Sequence, residues 1–132
     1  MRDALLKDKR ILVIEDIEEN MRLCQAILKL DGAEVWPAFN APDGIKLAQS
    51  GQPDLILMDI QMPDMDGLTA TRLLRADPLT SAIPIVAVTA SVMPDDLQET
   101  LAAGCDGYIT KPLEPAQFAR QLLPYLEIRA SV

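Results

Sequence analysis

The 132-residue chain is 49% apolar, 24% charged and 4% aromatic, a composition that suits one globular domain with an aliphatic core and excludes a disordered or fibrous chain. Its formal net charge of −8 argues against nucleic acid as a partner, because phosphate binding rests on Lys and Arg. There is no histidine, which removes Ser-His-Asp and Cys-His catalysis, most zinc sites and any role as a phosphohistidine carrier.

"RILVIED" at 10–16 reads as a buried strand, a short β-branched run that ends on carboxylates. From Ile17 onward Met21, Cys24, Ile27 and Leu28 recur at helical spacing, and Gly32 is a plausible stop. "EVWPAF" at 34–39 is a second strand, placed at a sheet edge because Pro37 cannot donate a ladder hydrogen bond. "NAPDG" at 40–44 opens a short helix that closes near Gly51. The third strand is "DLILMD" at 54–59, and "PDMDG" at 63–67 is a turn into a helix over 67–76. A fourth strand spans 83–90, and "MPDDLQETLAAG" at 93–104 is a helix with Pro and two Asp in its first turn. "DGYIT" at 106–110 is a short fifth strand, and 113–126 a last helix with Phe118 and Leu122 on one face. Pro124 is expected to end or kink that helix near Leu123, leaving Tyr125, Leu126, Ile128 and Val132 as a tail or as an arm for a homodimer or partner.

Strands alternating with helices imply an α/β fold: a parallel sheet covered by helices on both faces, with right-handed crossovers. The flavodoxin-like order 2-1-3-4-5 meets the edge requirement of Pro37 and makes the first and third strands central neighbours. All 132 residues read as one domain, with a core over about 9–126 between short N-terminal and C-terminal tails. No stretch approaches the ~20 apolar residues of a membrane span and no signal-peptide core is visible, so a cytoplasmic location is expected. Cys24 and Cys105 form no CxxC pair and read as reduced core residues.

A run of four large apolar residues, Leu55 to Met58, ends on Asp59, although a buried unpaired carboxylate costs several kcal/mol or more. In this sheet order Asp59 shares the carboxyl-end pocket with Glu15, Asp16, Thr89 and Lys111, because ligands bind outside the C-terminal strand ends. Three like charges at close range call for a cation, and an oxygen-rich site without His or thiolate suits Mg²⁺, or Mn²⁺, rather than zinc. Taken singly, Glu15-Asp16 or Thr89 could equally be strand-end caps of the following helix.

The motifs "ILVIEDIEEN", "DLILMDIQMPDMDG", "PIVAVTA" and "GYITKP" come in one order, with thirty residues from Asp59 to Thr89 and twenty-two from Thr89 to Lys111. With them the chain, from Lys9 to about Leu126, resembles the receiver domains of two-component response regulators. The resemblance implies that Asp59 is the phospho-acceptor, receiving a phosphoryl group from a phosphohistidine donor and forming an aspartyl phosphate. It implies Mg²⁺ held by Asp16, by Glu15 through water, by Asp59 and by the backbone carbonyl of Gln61. Lys111 would neutralise phosphoryl oxygens, aimed by a cis bond to Pro112, and Thr89 would hydrogen-bond one of them and switch together with Tyr108. Tyr108 could equally be partly buried packing on a short strand.

The implied partners are a sensor histidine kinase or histidine phosphotransfer protein and a downstream protein effector, with no separate substrate turned over. The chain ends soon after the fifth helix and is expected to be a stand-alone regulator. Three rival readings remain. The first is a pseudo-receiver with the fold but no chemistry. A flavin carrier is opposed by the acidic "EDIEEN" loop where phosphate would bind. An aspartate-nucleophile phosphohydrolase would want a second Asp two residues after Asp59, where Gln61 stands.

Overall fold

The computed structural model describes residues 4–62 and 65–130. Ten elements alternate along the chain: β1 (Arg10–Ile14), α1 (Glu18–Leu30), β2 (Glu34–Ala38), α2 (Ala41–Gly51), β3 (Leu55–Asp59), α3 (Gly67–Ala76), β4 (Ile85–Thr89), α4 (Pro94–Ala103), β5 (Gly107–Thr110) and α5 (Phe118–Ala130). The sheet order is β2-β1-β3-β4-β5, every pairing parallel, as the sequence pattern implied. Pro37 lies on the edge strand opposite Val13, where its missing N–H interrupts nothing.

Alternation along each strand divides the apolar residues into two cores. Ile11, Val13, Leu55, Leu57, Val86 and Val88 meet Met21 and Leu28 of α1 and Phe118 and Leu122 of α5 on one face. Leu12, Ile14, Ile56, Met58, Ile85 and Ala87 meet Ala41 and Ala48 of α2 and Ala70 and Leu74 of α3 on the other. β3 is buried at every position, the expected state of a central parallel strand between two helix layers. Among the described residues no helix is long and apolar enough to cross a membrane.

The end of α1 follows from Gly32. Its φ of +89° permits two closing bonds, Gly32 N to Lys29 O at 3.0 Å and Ala33 N to Leu28 O at 3.1 Å, which satisfy carbonyls at the helix terminus. The segment before β1 packs against this corner, since Leu6 N donates to Asp31 O at 2.8 Å and the Leu6 side chain is fully buried. The core therefore starts before residue 9, where the sequence pattern placed a tail; two leucines and flanking charge carry no periodicity to mark them.

The last helix also departs from expectation. Glu114 O accepts from both Gln117 N and Phe118 N in a turn, and the helix proper starts at Phe118. It then passes through Pro124 to Ala130 instead of ending near Leu123. Proline forgoes one helical hydrogen bond, at a cost of about 3 kcal/mol, but Leu126 beyond it is buried and Tyr125 packs on the same core. Burial of these two side chains offsets the break, so they do not form a free arm. Pro63 and Asp64 of the expected turn, and Val132 of the expected tail, lie outside the described residues.

Leu6→Ala should cost about 3 kcal/mol in urea unfolding, within the range for a buried leucine. A loss under about 0.5 kcal/mol would mean that the segment before β1 is not part of the core.

Candidate functional site

The site forms where the central strands end. Ile14 pairs with Met58, so the next step along both strands brings Glu15 level with Asp59. Asp59 pairs with Val88, and Thr89 follows it; Thr89 in turn pairs with Thr110, and Lys111 follows that. Parallel register thus delivers a carboxylate, a carboxylate, a hydroxyl and an ammonium to one edge from β1, β3, β4 and β5. Gly67 at the start of α3 lies so close to this edge that a Cβ there would stand 2.4 Å from the Asp59 carbonyl oxygen. Only a glycine lets α3 begin against the backbone of the site.

Asp59 is 4% exposed, and its Oδ1 accepts from Gln61 N at 3.2 Å. Glu15 is 5% exposed; its Oε1 accepts from Ile17 N at 3.1 Å and from Asn20 Nδ2 at 3.2 Å. Lys111 Nζ stands 3.6 Å from Asp59 Oδ1 and 3.6 Å from Glu15 Oε2, which makes it an electrostatic partner of both and a close hydrogen-bond donor to neither. The Lys111–Pro112 bond is cis, as the sequence resemblance implied. Burial first, and the Glu15 charge second, push the Asp59 carboxyl up from 3.8 to about 7, against the opposing pull of Lys111 and the Gln61 N–H.

Asp16 carries the clearest sign of a missing partner. Its Oδ1 is buried and accepts no hydrogen bond among the described residues. Glu15, Asp16 and Asp59 each offer a carboxylate oxygen, and these oxygens lie within 4.8 Å of one another. An all-oxygen set with one orphaned buried acceptor fits a hard divalent cation.

Thr89 is buried, and its Oγ1 accepts from Ser91 N at 3.1 Å. Tyr108 is 37% exposed and lines neither of the two cavities beside the cleft. Glu15, Asp16, Asp59, Thr89 and Lys111 are therefore gathered at one edge, Gln61 contributes its N–H to Asp59, and Tyr108 stays outside. Asn20 went unnoticed in the sequence; its place one turn into α1, on the Glu15 side, was the available signal. A cavity of about 360 Å³ adjoins the cleft, with Glu15, Asp59 and Lys111 on its polar wall and Leu23, Cys24 and Leu113 among its apolar lining. Cys24 and Cys105 are both free and buried. Burial and the Glu15 charge push the Cys24 thiol up to about 12, so it remains an unreactive thiol.

Residues 11–123 match the family model of the response regulator receiver domain. The chain belongs to this family. The polar-differentiation response regulator DivK of Brucella anthropi is 37% identical over 118 residues, covering 89% of this chain and 96% of that protein. Among solved structures, the receiver domain of the sensor histidine kinase PA1611 from Pseudomonas aeruginosa, described with a magnesium ion coordinated in its active-site cleft, has a TM-score of 0.84 at 32% identity. It covers 91% of this chain and is itself covered to 98%. The chemotaxis protein CheY4 of Vibrio cholerae has a TM-score of 0.85 at 25% identity, covering 89% of this chain and 98% of that one. The sheet order is thus that of a receiver, and the acidic pocket lies at the ends of β1 and β3.

The raised Asp59 carboxyl yields a pH test. Its folded value lies above its unfolded one, so folding takes up a proton between pH 3.8 and about 7, and stability falls as pH rises through that window. Asp59→Asn should remove this dependence. In urea unfolding without divalent cations, the stability of the variant relative to the parent should grow from about pH 4 to about pH 7 and then level off. A constant difference across that range would mean that the Asp59 carboxylate is not strained in the metal-free fold.

Proposed function

We propose that this receiver accepts a phosphoryl group on Asp59 from a phosphohistidine donor in a Mg²⁺-dependent reaction, and signals by phosphorylation-dependent docking to another protein. The observation that carries this reading is the buried Asp59 carboxylate, 3.6 Å from Lys111 Nζ and in one cluster with Asp16, whose Oδ1 is orphaned. A carboxylate so placed can attack phosphorus in line. The new O–P bond forms as the P–N bond to the donor imidazole breaks, and the electron pair of that bond returns to the ring nitrogen. The Lys111 ammonium lies where it can offset charge on the phosphoryl oxygens, and Thr89 can turn its hydroxyl to donate to one of them.

Asp16, Glu15, Asp59 and the backbone carbonyl of Gln61 are the groups that would hold Mg²⁺. Bound there, the ion supplies positive charge that draws the phosphoryl oxygens toward Asp59. The PA1611 receiver, with its magnesium ion in the cleft, supports the same assignment. The donor would be a sensor histidine kinase or a histidine phosphotransfer protein, and the location proposed with it is the cytoplasm. A net charge of −8 leaves nucleic acid an unfavourable direct target. Gln61 stands where a phosphohydrolase of the aspartate-nucleophile type needs its acid, so the chain is a phospho-acceptor with no separate substrate to turn over.

Incubation with Mg²⁺ and a small-molecule phosphodonor, followed by mass analysis, should yield one phosphoryl adduct on Asp59 and none on Asp59→Asn. An adduct of equal yield on the variant would place the acceptor elsewhere. Asp16→Asn should weaken Mg²⁺ binding by about tenfold or more, equivalent to about 1.4 kcal/mol, while leaving the metal-free fold at least as stable as the parent. Titration calorimetry showing parent-like affinity would remove Asp16 from the metal site. Thr89→Ala should still accept phosphate on Asp59 but lose the change in amide exchange across 89–126 that a phosphoryl mimic induces. A change of equal size in parent and variant would show that Thr89 only ends its strand.

A further inference from the structure

The loop between β4 and α4 is held by a short chain of hydrogen bonds. Ser91 N donates to Thr89 Oγ1 at 3.1 Å. The Ser91 hydroxyl donates to Asp96 Oδ2 at 2.6 Å, a charge-assisted bond, and accepts from Met93 N at 3.3 Å. Met93 is the N-cap of α4, yet its side chain makes no capping bond; the bonds at this end converge on Ser91 instead. Between the two anchor points the loop displays Val92 and Met93, 67% and 63% exposed.

Beneath the same bonds lies a second cavity, of about 130 Å³, lined by Thr89, Ser91, Asp96 and Leu97 together with Ile60 and Leu68. It is several times the ~30 Å³ share of one water molecule. The loop therefore has room to move toward α3 without displacing packed side chains. Ser91 ties it at both ends, to Thr89 and to Asp96.

We infer that Ser91 is a positioning residue: with Asp96 it latches the start of α4 in the resting arrangement, and it makes the position of Val92 and Met93 depend on which way the Thr89 hydroxyl points. This inference rests on the proposed phosphorylation of Asp59. When Thr89 turns its hydroxyl toward a phosphoryl group, Ser91 N loses its acceptor and the β4 end of the latch opens. The Ser91–Asp96 bond then opposes further movement, which sets how much of the phosphorylated population reaches the moved state. Removing that bond shifts the balance before any phosphoryl group arrives. Any ligand that favours the moved loop must then bind more tightly, because coupling between two events is reciprocal.

Beryllofluoride binding in the presence of Mg²⁺ tests the latch. Ser91→Ala should raise the affinity for beryllofluoride roughly tenfold, the worth of one charge-assisted hydrogen bond, and should speed amide exchange over 91–97 in the unliganded chain. Asp96→Asn, which keeps shape and weakens the same bond, should move both readouts in the same direction by less. Ser91→Thr keeps the hydroxyl and should behave as the parent. A serine that merely supported the local fold would give the opposite sign, since loosening the site would weaken mimic binding. Unchanged or weaker affinity in Ser91→Ala and Asp96→Asn, with normal binding by the parent, would overturn the latch and leave the receiver reading intact. Failure of the parent to bind the mimic would overturn both.

Discussion

Two carboxylates buried at the ends of adjacent strands, Glu15 and Asp59, face one ammonium that stands 3.6 Å from each. One cation at that distance does not balance two anions removed from water, and the orphaned oxygen of Asp16 adds a third acceptor. The rest of the molecule makes this imbalance tolerable. Two apolar cores clamp β1 and β3 from both faces, so the strand ends cannot relax outward into solvent without giving up buried leucine, isoleucine and phenylalanine. The fold holds an excess of negative charge that a divalent cation would relieve.

The same constraint explains the division of labour around the cleft. Groups at the strand ends are held by hydrogen bonds: Glu15 by Ile17 N and the Asn20 side-chain amide, Asp59 by Gln61 N. The groups proposed to switch, Thr89 and Tyr108, lie at the end of β4 and on the outermost strand β5. Thr89 belongs to both sets. Its Cα is locked in the sheet opposite Thr110, while its hydroxyl oxygen accepts from Ser91 N and its O–H can donate to another acceptor. Under the proposed phosphorylation, a rigid frame with a rotatable hydroxyl at its edge would turn a local change of charge into movement of the adjoining loop.

The opposite edge of the sheet is closed by different means. Arg75, at the end of α3, donates to Gly104 O at 2.8 Å and Ile83 O at 2.6 Å and pairs with Asp106 at 2.8 Å, joining the α3–β4 and α4–β5 connections. Asp106 also accepts from Ile85 N at 2.8 Å. These bonds hold the amino ends of β4 and β5, opposite the carboxyl ends that meet at the acidic cleft.

The elements, the order of the sheet and the residues gathered at its carboxyl edge were legible in the sequence, for a physical reason. Buried parallel strands must be continuous apolar runs, Pro37 can lie only at an edge, and a carboxylate that ends such a run must face the strand-end crevice. What the sequence could not decide depends on contacts between distant segments. Leu6 is core because Asp31 and Gly32 lie beside it, and α5 survives Pro124 because Leu126 and Tyr125 find the core on the far side. The hold of Asn20 on Glu15 and of Ser91 on Asp96 has no periodicity to announce it; each is a hydrogen bond across a turn whose geometry the packing sets. Local pattern determined which residues reach the cleft, and tertiary packing alone decided how far each is from its neighbours and which of them can still move.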